Sequence, residues 1–188
     1  MIKETIFYKK HLEQGAKTGE FAGYDMPLYY KEGALAEHHW VRSHAGLFDV
    51  SHMGQLFIEG EDAQALLERL TPSSFDITPP GRAKYTVLLN QDGGIIDDLI
   101  ITKLADDRFF LVINAGRKEV DLAYIKEQAK NFSDISFDYL GERGLLALQG
   151  LEAEQVMKDA LGIDCADHPY MWFEAYDDFY VSRLGYTG

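Results

Sequence analysis

YTVLLNQDGGIIDDLIITKLADDRFFLVIN, residues Tyr85 to Asn114, decides the fold. The apolar run Thr86 to Leu89, a polar turn with paired glycines from Asn90 to Gly94, and a second apolar run from Ile95 to Leu104 spell a β-hairpin. A third run, Phe109 to Ile113, follows the turn Ala105-Asp106-Asp107 and extends the hairpin to a meander. Asp97-Asp98 breaks the pattern in the middle of the second strand. Aspartate is disfavoured in strands, and an ionised carboxylate against a core costs several kcal/mol unless it is paired or hydrogen-bonded. Successive strand side chains point to opposite faces, so one of the two can meet water while the other shares a face with Ile96 and Ile100. A carboxylate among aliphatic residues is neutralised by a fixed partner or kept for chemistry.

Outward from the hairpin, the alternation Gln55 to Glu59 predicts a strand, and Glu61 to Leu70 predicts an amphipathic helix with Ala65, Leu66, Leu67 and Leu70 at helical spacing. Beyond Asn114-Ala115-Gly116-Arg117, Lys118 to Lys130 predicts a second helix, with Val120, Ala123, Tyr124 and Gln128 as its inward stripe. Leu56 to Asp138 thus reads β-α-β-β-β-α-β, two helices on an antiparallel sheet, an α+β unit. Earlier in the chain, the Gly- and Pro-punctuated segment Phe21 to Tyr30 predicts extended structure, and Ala34 to His44 a helix. Asp49, Ser51 and His52 contain the residue types of a hydrolase triad, but lie too close in sequence to converge on one substrate and read better as a hydrogen-bonded bend. Strand Gly144 to Leu148, helix Glu152 to Leu161 and an aromatic-rich tail from Tyr170 follow. The expected organisation is an α+β insert at 55–140 within a first unit made of 1–54 and 141–188.

The 188 residues suffice for one substantial core or two small units. A formal net charge of -13 argues against a nucleic-acid backbone or an anionic membrane as partner. The lone Cys165 excludes an intramolecular disulfide and fits a reducing, cytoplasmic setting, and no Cys/His spacing predicts a metal site.

Six motifs taken together go further: Gly23-Tyr24-Asp25-Met26-Pro27-Leu28-Tyr29-Tyr30, Gly46-Leu47-Phe48-Asp49-Val50-Ser51-His52-Met53-Gly54, Gly93-Gly94-Ile95-Ile96-Asp97-Asp98-Leu99, Asn114-Ala115-Gly116-Arg117, Leu148-Gln149-Gly150 and Arg183-Leu184-Gly185-Tyr186-Thr187-Gly188. In this order they closely resemble the T-protein family of the glycine cleavage system, the tetrahydrofolate-dependent aminomethyltransferases. The resemblance implies transfer of an aminomethyl group from the lipoyl arm of H-protein to tetrahydrofolate, with release of ammonia. It implies a fold whose first two domains are interleaved, and a chain corresponding to the N-terminal part of the family fold. It carries the functional aspartate onto Asp98, and folate contacts onto Met53, Tyr85, Asp98, Asn114, Tyr170 and Tyr186. Aromatic rings and a methionine suit a flat heterocycle, and a carboxylate suits its N–H groups. Two other readings stand beside this one: a non-catalytic folate-binding relative, and an inactive fragment acting only in protein contacts.

Overall fold

The computed structural model describes residues 2–185. Tyr186, assigned a folate contact above, lies outside them. The structure is a mixture of helices and antiparallel sheet. It divides into two compact units, one holding residues up to His52, Glu142–Pro169 and the described residues from Arg183, the other Met53–Gly141 and Tyr170–Ser182.

The first unit holds helix α1 (Tyr8–Glu13), the antiparallel hairpin β1 (Lys17–Phe21) and β2 (Tyr24–Tyr29), helix α2 (Ala34–Ser43), strand β3 (Ala45–Asp49) paired with β9 (Leu146–Gly150), and helix α5 (Ala153–Leu161). Its anchor is Asp49, which ends β3. The Asp49 carboxylate accepts hydrogen bonds from Thr5 Oγ1 at 2.6 Å and from the Ser51 backbone N–H at 2.9 Å, and it meets His11 Nε2 at 2.9 Å. Ser51 Oγ donates to the Leu145 carbonyl at 3.2 Å and accepts from the Leu145 N–H at 2.9 Å. The Asp49-Val50-Ser51 segment is therefore a hydrogen-bonded bend that ties the chain's start to β9, with the Asp and Ser side chains engaged in structure.

The second unit is built on a seven-stranded sheet in the order β11-β10-β5-β6-β7-β4-β8. Its members are β4 (Gly54–Glu59), β5 (Arg82–Leu89), β6 (Ile95–Ala105), β7 (Arg108–Ile113), β8 (Ser136–Tyr139), β10 (Trp172–Ala175) and β11 (Tyr180–Arg183). Helices α3 (Ala63–Leu70) and α4 (Lys118–Ala129) complete the predicted β-α-β-β-β-α-β order. Pairs β4·β7, β4·β8, β5·β6, β6·β7 and β5·β10 are antiparallel. Strand β10 joins this sheet through the pair Trp172–Arg82, so residues 170–182 pack with the insert rather than with 1–54.

The two faces of the sheet carry different cores. Leu56, Ile58, Leu99, Ile101, Phe109, Leu111 and Ile113 turn to one side and meet Leu66, Leu67 and Leu70 of α3 and Leu122 and Ile125 of α4. The other side carries the smaller cluster Phe57, Phe110 and Phe173, on which Tyr180 stacks at 5.3 Å from the Phe173 ring. Alternation along the strands makes both clusters from the same runs, with Phe57 between Leu56 and Ile58 and Phe110 between Phe109 and Leu111.

The α4 stripe differs from the sequence expectation. Of the expected stripe, Gln128 is buried and Tyr124 packs on the core, while Ala123 and Val120 (49%) are exposed; the other inward residues are Lys118, Asp121, Leu122, Ile125 and Ala129. Two charged residues on the inward face erase the apolar periodicity that would have marked it.

Candidate functional site

The ladder register brings four of the expected residues, Met53, Tyr85, Asp98 and Asn114, together. Gly54 pairs with Ile113 and Ile113 with Leu99, so Met53, Asn114 and Asp98 are each one residue beyond the same three-strand row. Val87 is opposite Asp98, which sets Tyr85 on the diagonal of the same face. The Tyr85 hydroxyl donates to Asp98 Oδ2 at 2.9 Å. Gly54 leaves room for Ile113: a Cβ there would come within 2.5 Å of Ile113 Cγ1, so any side chain would force Ile113 to shift.

Asn114 is the bracket of the site. Its Nδ2 donates to the Asp98 backbone carbonyl at 3.0 Å and to Asp97 Oδ1 at 3.2 Å, holding the end of β7 to both aspartates. The aspartates then diverge. Asp98 turns to the face of Tyr85. Asp97 turns to the side of Leu99 and the helix-covered core, where its Oδ2, like Asp121 Oδ1 of α4, is buried without a hydrogen-bond partner among the described residues. A β-bulge between Leu88 and Leu89 shifts the register, and Ile96 packs on the helix-covered core instead of sharing the Asp98 face. Both aspartates are half-buried, and it is Asp97, on the face of the core residues Leu99 and Ile101, whose Oδ2 is buried.

Tyr85 is 66% exposed, and the Asp98 carboxylate raises its hydroxyl pKa, first through the hydrogen bond and then through its charge. The phenol consequently stays protonated and serves as a donor that keeps Asp98 oriented. Tyr170 stands beside β5, where its carbonyl accepts from Arg82 Nη1 at 2.5 Å and the next carbonyl, Met171, accepts from the Ala83 N–H at 2.8 Å. Its ring is 60% exposed. Met53 is half-buried.

Sequence reasoning missed Asp121, which is 1% exposed and whose carboxyl burial pushes up to about 7, with the hydrogen bond and charge of Asp97 adding to the effect and Arg117 opposing it. The signal was present as an aspartate four residues after Arg117 in a helix otherwise backed by Leu122 and Ile125. A cleft of about 360 Å³ lined by Arg69, Leu70, Asn90, Gln91, Tyr124 and Gln128 includes none of the expected site residues. Among the described residues no group of three or more His, Cys, Asp or Glu is placed to hold a metal, and no helix is long and apolar enough to cross a membrane.

Fold and site define an α+β protein with a tyrosine-held carboxylate on one face of an antiparallel sheet. Comparison with known proteins narrows this. The family described as GCVT N-terminal domain matches residues 7–188. An aminomethyltransferase of Flavobacterium psychrophilum is 40% identical over 195 residues, covering 100% of this chain and 53% of that protein. The probable mitochondrial aminomethyltransferase of Schizosaccharomyces pombe is also 40% identical, over 100% of this chain and 50% of its own length. The crystal structure of glycine cleavage system aminomethyltransferase T from Bartonella henselae superposes with a TM-score of 0.93 at 42% identity, over 100% of this chain and 51% of that one. The chain belongs to the GCVT N-terminal domain family, the aminomethyltransferase family of the glycine cleavage system. It spans about half the length of the curated relatives it matches.

Proposed function

We propose that the protein takes part in aminomethyl transfer: the aminomethyl carbon on the lipoyl arm of H-protein passes to tetrahydrofolate, giving 5,10-methylenetetrahydrofolate and releasing ammonia. The observation that carries this reading is the Asp98 carboxylate, fixed through Oδ2 by the exposed Tyr85 and through its backbone by Asn114. Among the described residues Asp98 Oδ1 takes no hydrogen bond, which leaves an acceptor for an N–H donor.

The residues fit the group that the family implies. The Tyr85 and Tyr170 rings offer flat, accessible π surfaces, and Met53 a polarisable contact, for a pterin-like heterocycle. Tetrahydrofolate, when bound, supplies the amines that accept the one-carbon unit. Asp98 accepts an amine N–H, orients its lone pair, takes up a proton at the carboxylate and offsets positive charge that develops nearby. Tyr85 and Asn114 hold that carboxylate in place. Tyr186 is assigned to the same folate contact set by the family resemblance. The domain division, an insert at 55–140 within 1–54 and 141–188, is likewise proposed for the family fold, with 170–182 joining the insert through β10. A cytoplasmic setting is proposed from the single cysteine.

The test is a paired substitution in a protein of the relatives' length carrying this sequence. Asp98→Asn keeps the shape and removes the charge, and is expected to slow transfer by about 10²–10⁴-fold with folate binding retained. Asp97→Asn, whose side chain faces α4, is expected to leave the chemical step within about tenfold of wild type while lowering thermal stability. Equal losses in the two variants, at equal stability, would mean the site has been misplaced. Intrinsic fluorescence of the chain titrated with tetrahydrofolate separates this reading from that of a fragment acting only in protein contacts, which gives no response.

A further inference from the structure

Beneath the sheet, Asp97 Oδ2 and Asp121 Oδ1 are both buried and, among the described residues, neither has a hydrogen-bond partner. The two groups act on each other: after burial, a hydrogen bond with Asp97 and the Asp97 charge are what raise the Asp121 pKa. Two bare carboxylates in that position would repel and leave both oxygens unsatisfied; one proton between them satisfies both. The remaining Asp97 oxygen, Oδ1, receives Asn114 Nδ2, and the same Nδ2 holds the Asp98 carbonyl. With one proton shared between the two carboxyls, hydrogen bonding would continue from α4 through Asp97 to Asn114, whose Nδ2 holds Asp97 Oδ1 and the Asp98 carbonyl.

We infer that Asp121 is a positioning residue for the Asp98 site: protonated, it donates to Asp97, and Asp97 thereby holds Asn114 in the orientation that fixes the backbone of Asp98. The inference rests on the aminomethyl-transfer reading for its effect on turnover, but the Asn114 hydrogen bonds to Asp97 and Asp98 stand independently of it. Coupling of this kind titrates as a pair. The charged and titratable groups around Asp121 are Asp97 and Asp98 on β6, Arg117 at the start of α4, and the buried Lys118 one turn before it. Arg117 favours the ionised form and both β6 aspartates disfavour it. Burial, the largest effect, keeps the proton on up to a pH of about 7. As pH rises through that value the pair becomes fully charged, Asp97 is repelled from α4, and the grip on Asn114 loosens.

Two variants and three readouts test this. Asp121→Asn retains an N–H donor for Asp97 and cannot ionise; Asp121→Leu removes the donor. In the 188-residue chain, difference infrared spectra of wild type minus Asp121→Asn at pH 6 are expected to contain a protonated-carboxyl band that titrates away near pH 7. The Asn114 side-chain amide resonance is expected to keep its place in Asp121→Asn and to move in Asp121→Leu. In a protein of the relatives' length, the transfer rate of wild type is expected to fall on the alkaline side of pH 7, that of Asp121→Asn to lose this limb, and that of Asp121→Leu to drop about 10–100-fold at every pH. Absence of the carboxyl band, or an Asn114 resonance indifferent to both variants, overturns the inference. So does an alkaline limb unchanged in Asp121→Asn. If Asp98→Asn leaves turnover intact, the functional reading fails, and the band and the Asn114 resonance still decide the role of Asp121; if Asp121→Leu does not fold, the isosteric Asp121→Asn carries the test alone.

Discussion

At the scale of single residues, charge placed under a sheet has consequences for stability that the two buried aspartates express with opposite sign. Burial alone would raise Asp49, but hydrogen bonds from Ser51, Thr5 and His11 outweigh it and hold its pKa below the ordinary carboxylate value. Its folded form therefore keeps the charge, and the stability it contributes is present above about pH 4 and lost as pH falls through its depressed pKa. Asp121 is the reverse. Between about pH 4 and about pH 7 the folded chain holds a proton on Asp121 that the unfolded chain has released, so stability falls as pH rises across that window. The expected slope is roughly 1 kcal/mol per pH unit, read from urea midpoints, and Asp121→Asn is expected to flatten it. A wild-type midpoint rising from pH 5 to pH 7 would contradict the assignment. Asp97-Asp98 announced itself in the sequence because carboxylates are rare inside strands. Asp121 and the inward Lys103, which is satisfied by Gln64, Phe75 O and Asp106, did not, since a charged residue read in isolation looks like a solvent-facing one.

At the scale of elements, type and order were legible where periodicity was strong. The hairpin, the meander and α3 stand where alternation and helical spacing put them, because apolar side chains there follow burial closely. The inward face of α4 was not legible, and neither was the bulge in β6, which depends on how Leu88 and Leu89 pair across the hairpin and has no local signature in composition. Strand β3 was hidden by its partner lying a hundred residues away in β9. One connection shows how tightly some elements are set. Gly60, at the end of β4, has φ +130°, and a Cβ there would sit 2.1 Å from the Asp134 carbonyl oxygen. Next to it Asp62 Oδ2 accepts from the Ser133 and Asp134 N–H groups while Asp134 Oδ2 accepts from the Glu61 N–H, a reciprocal clasp between the entries to α3 and β8. Gly60→Ala is expected to destabilise by at least about 2 kcal/mol, through both the strained dihedral and the displaced backbone. Thermal melts within experimental error of wild type would show that the clasp can open without cost.

At the scale of the whole molecule, the sequence pointed to interleaving, and the family resemblance, rather than any pattern of apolar residues, carried the site assignments. What no local pattern could supply was the destination of the tail: β10 returns to β5 across ninety positions, from Arg82 to Trp172. It brings Phe173 against Phe110, and Tyr180 from β11 follows. Phe110→Ala is expected to cost about 3–5 kcal/mol, measured by chemical denaturation, because it removes the ring shared by Phe57, Phe173 and Tyr180. A loss below about 1 kcal/mol would mean that this second cluster collapses around the gap.

That return of β10 also sets a schedule for synthesis. A ribosome adding roughly 5–20 residues per second leaves the outer edge of β5 uncovered for roughly 5–20 s after Arg82 has been made, and the Phe110 ring for roughly 3–12 s after its own synthesis. During that interval the nascent chain presents an unpaired strand edge beside bare aromatic surface, the combination that invites pairing with a neighbouring chain. Overproduction should therefore be limited by the speed of translation between residues 82 and 180, and slower translation of that stretch should lower the soluble yield even though the finished protein is unchanged.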